Sequence, residues 1–123
     1  FMKGVSPLLT NCEFVENKVF SSAGGVGGAI FFNAGGFDPS LVVPNIVNCV
    51  FSRNSLEPIS GGGDGIVLGG ALMMTPLIHL TINSTRFEYN RAESLLSYGS
   101  NGGAIGSIGK YGHDIPQKNA SLV

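Results

Sequence analysis

The sequence predicts an all-β fold, a right-handed parallel β-helix with about three coils of a longer array. Three observations lead there. Phe-x-x-Asn returns as FVEN at 14–17, FSRN at 51–54 and FEYN at 87–90, at intervals of 37 and then 36 residues. Each copy is followed by Gly-Gly-Ala and an aliphatic residue: GGAI at 27–30, GGAL at 69–72 and GGAI at 102–105. Between these motifs the chain reads as short strand-like runs separated by Gly, Pro, Asn and Ser, and no segment carries a sustained helical period with a cap and a stop. Two strands per period with no helix between them exclude an alternating strand-helix solenoid. An antiparallel sandwich would not return an ordered pair of motifs three times.

The elements follow in chain order. TNCEF at 10–14 parallels VNCVF at 47–51, and Thr85 holds the place of Cys12 and Cys49 before Phe87. The alternation Thr10, Cys12, Phe14 against Val47, Cys49, Phe51 and Asn83, Thr85, Phe87 has period two, which predicts a strand with Phe and a small residue on one face. In a parallel stack, equivalent positions lie about 4.8 Å apart, so Phe14, Phe51 and Phe87 are expected as an aromatic ladder inside the coil. Asn17, Asn54 and Asn90 are expected at a bend, where Asn tolerates unusual backbone angles and its amide can bond along the stack. The steps Gly27, Gly28, Ala29, then Gly69, Gly70, Ala71, then Gly102, Gly103, Ala104 are expected as tight corners that a Cβ would resist.

The pairs Phe31-Phe32, Met73-Met74 and Gly106-Ser107 follow those corners, and Phe1-Met2 fits the same slot. A further Gly-Gly-Ala step is therefore expected just upstream, and the tail from Lys110 reads as the approach to another Phe-x-x-Asn. Residues 1–123 are thus expected to be one β-helix segment cut within a repeat at both ends. The variable segments 33–45, 55–68 and 92–101 are expected as loops on a fixed frame.

Composition removes several functions. A net charge of -1, with Lys and Arg scattered singly, leaves no electrostatic footprint for nucleic acid or an anionic membrane. The uncharged run from Gly65 to Thr85 has the length of a membrane helix. Gly69, Gly70, Pro76, His79 and Asn83 interrupt it, and Thr75-Pro76 reads as a turn between short strands, so no membrane span is expected.

The chemical motifs are incomplete. GVGGAI lacks the last glycine of a dinucleotide fingerprint, and AIGSIGKY lacks the first glycine and the closing Ser or Thr of a phosphate loop. No cofactor is expected. Cys12, Cys49, His79 and His113 have no zinc-ligand spacing, and GGGDG at 61–65 is a single glycine-aspartate stretch, so no metal is expected. Cys12 and Cys49 are read as stacked free thiols, because in-register side chains point alongside each other; a disulfide between them is the alternative. The acidic residues (Glu13, Glu16, Asp38, Glu57, Asp64, Glu88, Glu93, Asp114) form no pattern of a catalytic pair. No arrangement of His113, Asp114 and a serine has support in the sequence, so no catalytic residue is assigned and the chain is read as not an enzyme. NST at 83–85 and NAS at 119–121 match glycosylation acceptors. Asn83 shares parity with Thr85 and Phe87, which turns it inward if the strand begins that early, and this makes Asn119 the better candidate in a eukaryotic secretory setting.

The paired motifs FVEN, FSRN, FEYN, GGAI, GGAL and GGAI resemble the repeats of the chlamydial polymorphic membrane protein family and related repeats in surface proteins of other microbes. The resemblance covers nearly the whole chain. It implies a right-handed β-helical passenger region of a secreted or autotransported surface protein, extracellular or at the cell surface, with a role in adhesion and with a host-cell receptor or glycan as partner. The family's carboxy-terminal membrane barrel has no counterpart in these residues. Neighbouring coils of the same or an identical chain are the other partners expected. The alternatives are a structural component of an extracellular filament or surface layer, and a fragment of a carbohydrate-active β-helix enzyme.

Overall fold

The structure, a computed structural model, describes residues 2–3, 6–21, 25–34, 36, 38, 42–58, 67–75, 78–92, 100–101 and 103–107. Among these the chain is all-β, with short strands paired in parallel. The first coil holds β1 (Met2–Lys3), β2 (Leu8–Thr10), β3 (Glu13–Val15), β4 (Lys18–Ser21) and β5 (Gly25–Val26). The second holds β6 (Ile30–Asn33), β7 (Asn45–Val47), β8 (Val50–Ser52), β9 (Ser55–Pro58) and β10 (Val67–Leu68). The third holds β11 (Leu72–Met74), β12 (Thr81–Asn83), β13 (Arg86–Glu88), β14 (Arg91–Ala92) and β15 (Ser100–Asn101), and β16 (Ile105–Ser107) follows it.

Strands of the same rank stack on one another. The sheets run β1-β6-β11-β16, β2-β7-β12, β3-β8-β13, β4-β9-β14 and β5-β10-β15. This is a β-helix, and its register is the one the motifs imply: Phe14 pairs Phe51, Phe51 pairs Phe87, and Ile30 pairs Leu72, which pairs Ile105. Met2 pairs Phe32, the residue whose slot it was expected to share.

Two expectations about the coil are corrected. Among the described residues each coil has five strands, where the sequence suggested two per period, because strands of two to four residues are too short to leave a visible alternation. The segments read as loops are also narrower than expected. Asn33 and Asn45 belong to β6 and β7, and Ser55–Pro58 forms β9, which pairs with β4. Most of the intervening residues lie outside the described set, as do Phe1, Gly102, the GGGDG stretch, His113, Asp114, Asn119 and the tail.

Inside the coil the columns carried by the strands are apolar, with the Asn54 amide buried beside them. Ile46, Phe51 and Leu56 of the second coil are fully buried, with Ile30, Phe32 and Leu72 closing the core on the side of the Gly-Gly-Ala corners. At about 25 cal/mol per Å² of apolar surface, burial of each large side chain stabilises by roughly 2 kcal/mol. The first and third coils carry the same columns half-buried: Leu9, Phe14 and Val19 below, Ile82, Phe87 and Ala92 above.

Candidate functional site

The residues singled out by the repeat form the frame, and the backbone explains each of them. Between β2 and β3, and again between β3 and β4, the chain turns in two residues. The first has a left-handed backbone: Asn11 (φ 54°), Asn48 (51°) and Ser84 (46°) at one bend, Glu16 (57°), Arg53 (53°) and Tyr89 (53°) at the other. The second points inward: Cys12, Cys49 and Thr85 at one bend, Asn17, Asn54 and Asn90 at the other.

The expectation that the Asn of Phe-x-x-Asn adopts the unusual backbone angles is therefore corrected. The residue before it does, at a cost of about 1–2 kcal/mol each for a side chain that is not glycine. Hydrogen bonds to the next coil offset this: the Glu16 amide donates to the Ser52 carbonyl at 2.9 Å and the Arg53 amide to the Glu88 carbonyl at 2.9 Å.

The asparagines instead form the amide ladder. Asn54 Oδ1 accepts from the Asn17 backbone amide (3.1 Å) and from Asn17 Nδ2 (2.8 Å). Asn54 Nδ2 donates to the Phe14 carbonyl (2.9 Å) and to Asn90 Oδ1 (2.9 Å). All four capacities of this fully buried amide are used, as burial of a polar group requires. Beside it the phenylalanine rings stack at 4.7 and 4.8 Å between centroids, tilted by 9° and 7°. That spacing is the strand spacing, so one register serves both ladders.

Cys12, Cys49 and Thr85 make a third ladder. The Cys12 amide donates to Cys49 Sγ (3.4 Å) and the Cys49 amide to Thr85 Oγ1 (3.2 Å). Each thiol or hydroxyl in turn donates to the carbonyl two residues earlier, on Thr10, Val47 and Asn83. Both cysteines are free thiols. A thiol here does what the threonine hydroxyl does, which is why the column tolerates either.

The glycines divide their work. Gly27 (φ 68°) and Gly69 (φ 72°) supply left-handed backbone at the corner. Gly28 and Gly70 have no room for a Cβ, which would collide with the carbonyl oxygen of Gly70 and of Gly103 respectively. Coils touch backbone to backbone at this corner, and the Ala29 amide donates to the Ala71 carbonyl at 2.8 Å.

The left-handed residue also reverses which face a side chain takes. Thr10 and Asn83, read as sharing a face with Phe14 and Phe87, are exposed on the outside, so the expectation that Asn83 turns inward is overturned. The bends at Asn11 and Ser84 break the period-two run that suggested it.

Outside the coil, the described carboxylates stand in solvent or beside arginines. Glu16 meets Arg53 at 2.8 Å, Glu88 meets Arg86 at 2.8 Å, and Glu57 lies 3.9 Å from Arg91 and accepts from Ser55 Oγ at 2.8 Å. The arginines of these pairs are exposed to solvent, and each pair contributes at most about 1 kcal/mol. Glu13, Asp38 and His79 are exposed. Among the described residues, no group of three or more His, Cys, Asp or Glu could hold a metal ion. The stretch from Gly65 to Thr85 contributes β10, β11 and β12, and no helix among the described residues is long and apolar enough to cross a membrane.

Compared with known proteins, the chain matches no family model, no curated protein and no solved structure.

Sequence reasoning missed the outward bend residues, β4, β9 and β14, and also β5, β10 and β15, the last two inside segments read as loops. A signal for β4, β9 and β14 exists: buried or half-buried apolar residues recur every five positions, as Leu9, Phe14, Val19, then Ile46, Phe51, Leu56, then Ile82, Phe87, Ala92. Three strand residues and a two-residue bend make that spacing.

Proposed function

We propose that this chain is a rigid, non-catalytic β-helix segment that displays loops for recognition at a cell surface or in the extracellular space. One observation carries the reading: the connections divide into a constant set and a variable set. The bends β2-β3 and β3-β4 take two residues in every coil, and the β5-β6, β10-β11 and β15-β16 corners take three. The connections β1-β2, β6-β7 and β11-β12 take four, eleven and six residues. Those between β4 and β5, β9 and β10, β14 and β15 take three, eight and seven. A frame held by stacked Phe, Asn and Gly-Gly-Ala columns permits such variation without strain on the register, and variable loops on a rigid scaffold are where binding residues gather.

The resemblance of the motifs to the polymorphic membrane protein repeats supports the same reading and suggests adhesion to a host receptor or glycan. The test is a glycan-array and cell-surface binding screen with the intact chain, repeated after the segments 34–44, 59–66 and 93–99 are exchanged for short Gly-Ser turns. The proposal expects binding that is lost on exchange while the β-sheet spectrum is kept. Binding that survives exchange of all three would overturn it.

A further inference from the structure

We infer that Asn83 is an acceptor for an N-linked oligosaccharide, and that the sugar is attached before the third coil closes on the second. Asn83-Ser84-Thr85 is the acceptor tripeptide, with no proline at its centre. The structure turns its two ends in opposite directions. Asn83 closes β12 and is exposed, and its carboxamide makes no hydrogen bond among the described residues. Thr85 is 4% exposed and stands in the inward ladder with Cys12 and Cys49. The left-handed Ser84 (φ 46°) separates the two directions.

The outward direction of Asn83 belongs to its column and not to its place in the chain. Asn83 pairs Val47, which pairs Thr10, and Val47 still reaches solvent although a coil lies on either side of it. Coils stack along the axis, whereas a glycan on Asn83 leaves across it, so the frame carries the sugar without losing a ladder bond. The equivalent tripeptides Thr10-Asn11-Cys12 and Val47-Asn48-Cys49 lack the asparagine at the outward position. Asn83, placed second to Asn119 on the parity argument, therefore has the free amide that the modification needs.

Attachment forms a bond between Asn83 Nδ2 and C1 of the first sugar. The donor is an oligosaccharide on a lipid pyrophosphate, which departs as the leaving group, and the amide releases one proton to solvent. The acceptor rule requires the hydroxyl of the third residue as well as the amide. In the folded chain that hydroxyl is engaged twice: Thr85 Oγ1 donates to the Asn83 carbonyl at 2.9 Å and accepts from the Cys49 amide at 3.2 Å. The Asn83 carbonyl also accepts from the Asn48 amide at 3.0 Å. The folded tripeptide can thus carry a glycan but cannot receive one until the third coil lifts from the second. The inference rests on the extracellular half of the proposed function, because the donor and its transferase work in the secretory route.

The whole chain is translated behind a cleavable signal peptide in the presence of microsomes. These supply the compartment whatever the chain's own address, so a negative result falls on the site and not on the extracellular reading. Peptide mass spectrometry after peptide N-glycosidase treatment reads each former glycan as aspartate. Asn83 should be modified in the unaltered chain, in Asn119→Gln and in Thr85→Ser, and unmodified in Thr85→Ala, whether or not that variant folds. In a second arm, unglycosylated chain that has already folded is added to detergent-opened microsomes. Transfer to Asn83 should then be about tenfold or more slower than in Asn54→Ala, whose weakened ladder opens more often. A nascent chain with Asn83 unmodified would overturn the site. Equal transfer to the folded chain and to Asn54→Ala would overturn the order of attachment and closure.

Discussion

Replacing Asn54 by alanine tests the amide ladder directly. The substitution removes four hydrogen bonds: those that Asn54 Oδ1 accepts from the backbone amide and side chain of Asn17, and those that Nδ2 gives to the Phe14 carbonyl and Asn90 Oδ1. At about 1 kcal/mol per bond the loss is about 4 kcal/mol, a large share of the 5–15 kcal/mol that holds a typical domain together. The neighbours grade the effect. Asn90→Ala removes three side-chain bonds, to Asn54 N, Asn54 Nδ2 and the Phe51 carbonyl, for about 3 kcal/mol. Asn17→Ala removes one, at an exposed position, for about 1 kcal/mol. Urea titration reads the order: the midpoint of Asn54→Ala should fall by about 2 M and that of Asn17→Ala by less than about 1 M, with the slope unchanged. Asn54→Gly should be no better than Asn54→Ala, because the left-handed backbone belongs to Arg53. Three alanine variants of equal stability, or a rescue by glycine at 54, would refute the ladder account.

Three further outcomes follow from the same geometry. Tyr89 has a φ of 53° and is 84% exposed, so Tyr89→Gly should stabilise by up to about 1 kcal/mol in the same titration, and a loss would count against backbone strain at that bend. Gly70→Ala should cost more than about 3 kcal/mol, since its Cβ would strike the Gly103 carbonyl and the Arg91 backbone, whereas Gly36→Ala meets nothing and should cost about 1 kcal/mol from its φ alone; similar thermal midpoints would contradict the close approach of coils. Cys49→Thr should change stability by less than Cys49→Ala, because a hydroxyl can accept from the Cys12 amide as Thr85 accepts from Cys49; the reverse order by chemical denaturation would remove the third ladder.

Much of the frame is legible in the sequence, and the reason is geometric. A parallel stack places equivalent residues in one environment, so phenylalanine, asparagine and the Gly-Gly-Ala step must return at each coil. Phe14, Phe51 and Phe87 were readable as a ladder because aromatic rings stack well at the strand spacing. Cys12, Cys49 and Thr85 were readable as one column, although only the hydrogen bonds show why thiol and hydroxyl are equivalent there. Most of the variable segments and Asn119 lie outside the described residues, so the display half of the proposed function rests on the lengths of the connections.

The bend at the Asn of Phe-x-x-Asn was legible, but its left-handed residue and the bend two residues before each Phe were not, and Asn83 shows the consequence. A parity argument carried Asn83 inward with Thr85 and Phe87, but Ser84 turns the chain through a left-handed residue and puts Asn83 on the surface. The residues that make such bends are Asn, Ser, Glu, Arg and Tyr, and only the asparagines advertise the conformation. The sequence by itself determined which residues stack on which, because repetition at fixed intervals in a parallel coil leaves no other register for its columns. The tertiary structure alone decided which way the side chains face and where the strands end. Those depend on a backbone rotation between two short strands, and bonds from the next coil stabilise that rotation whatever side chain stands there.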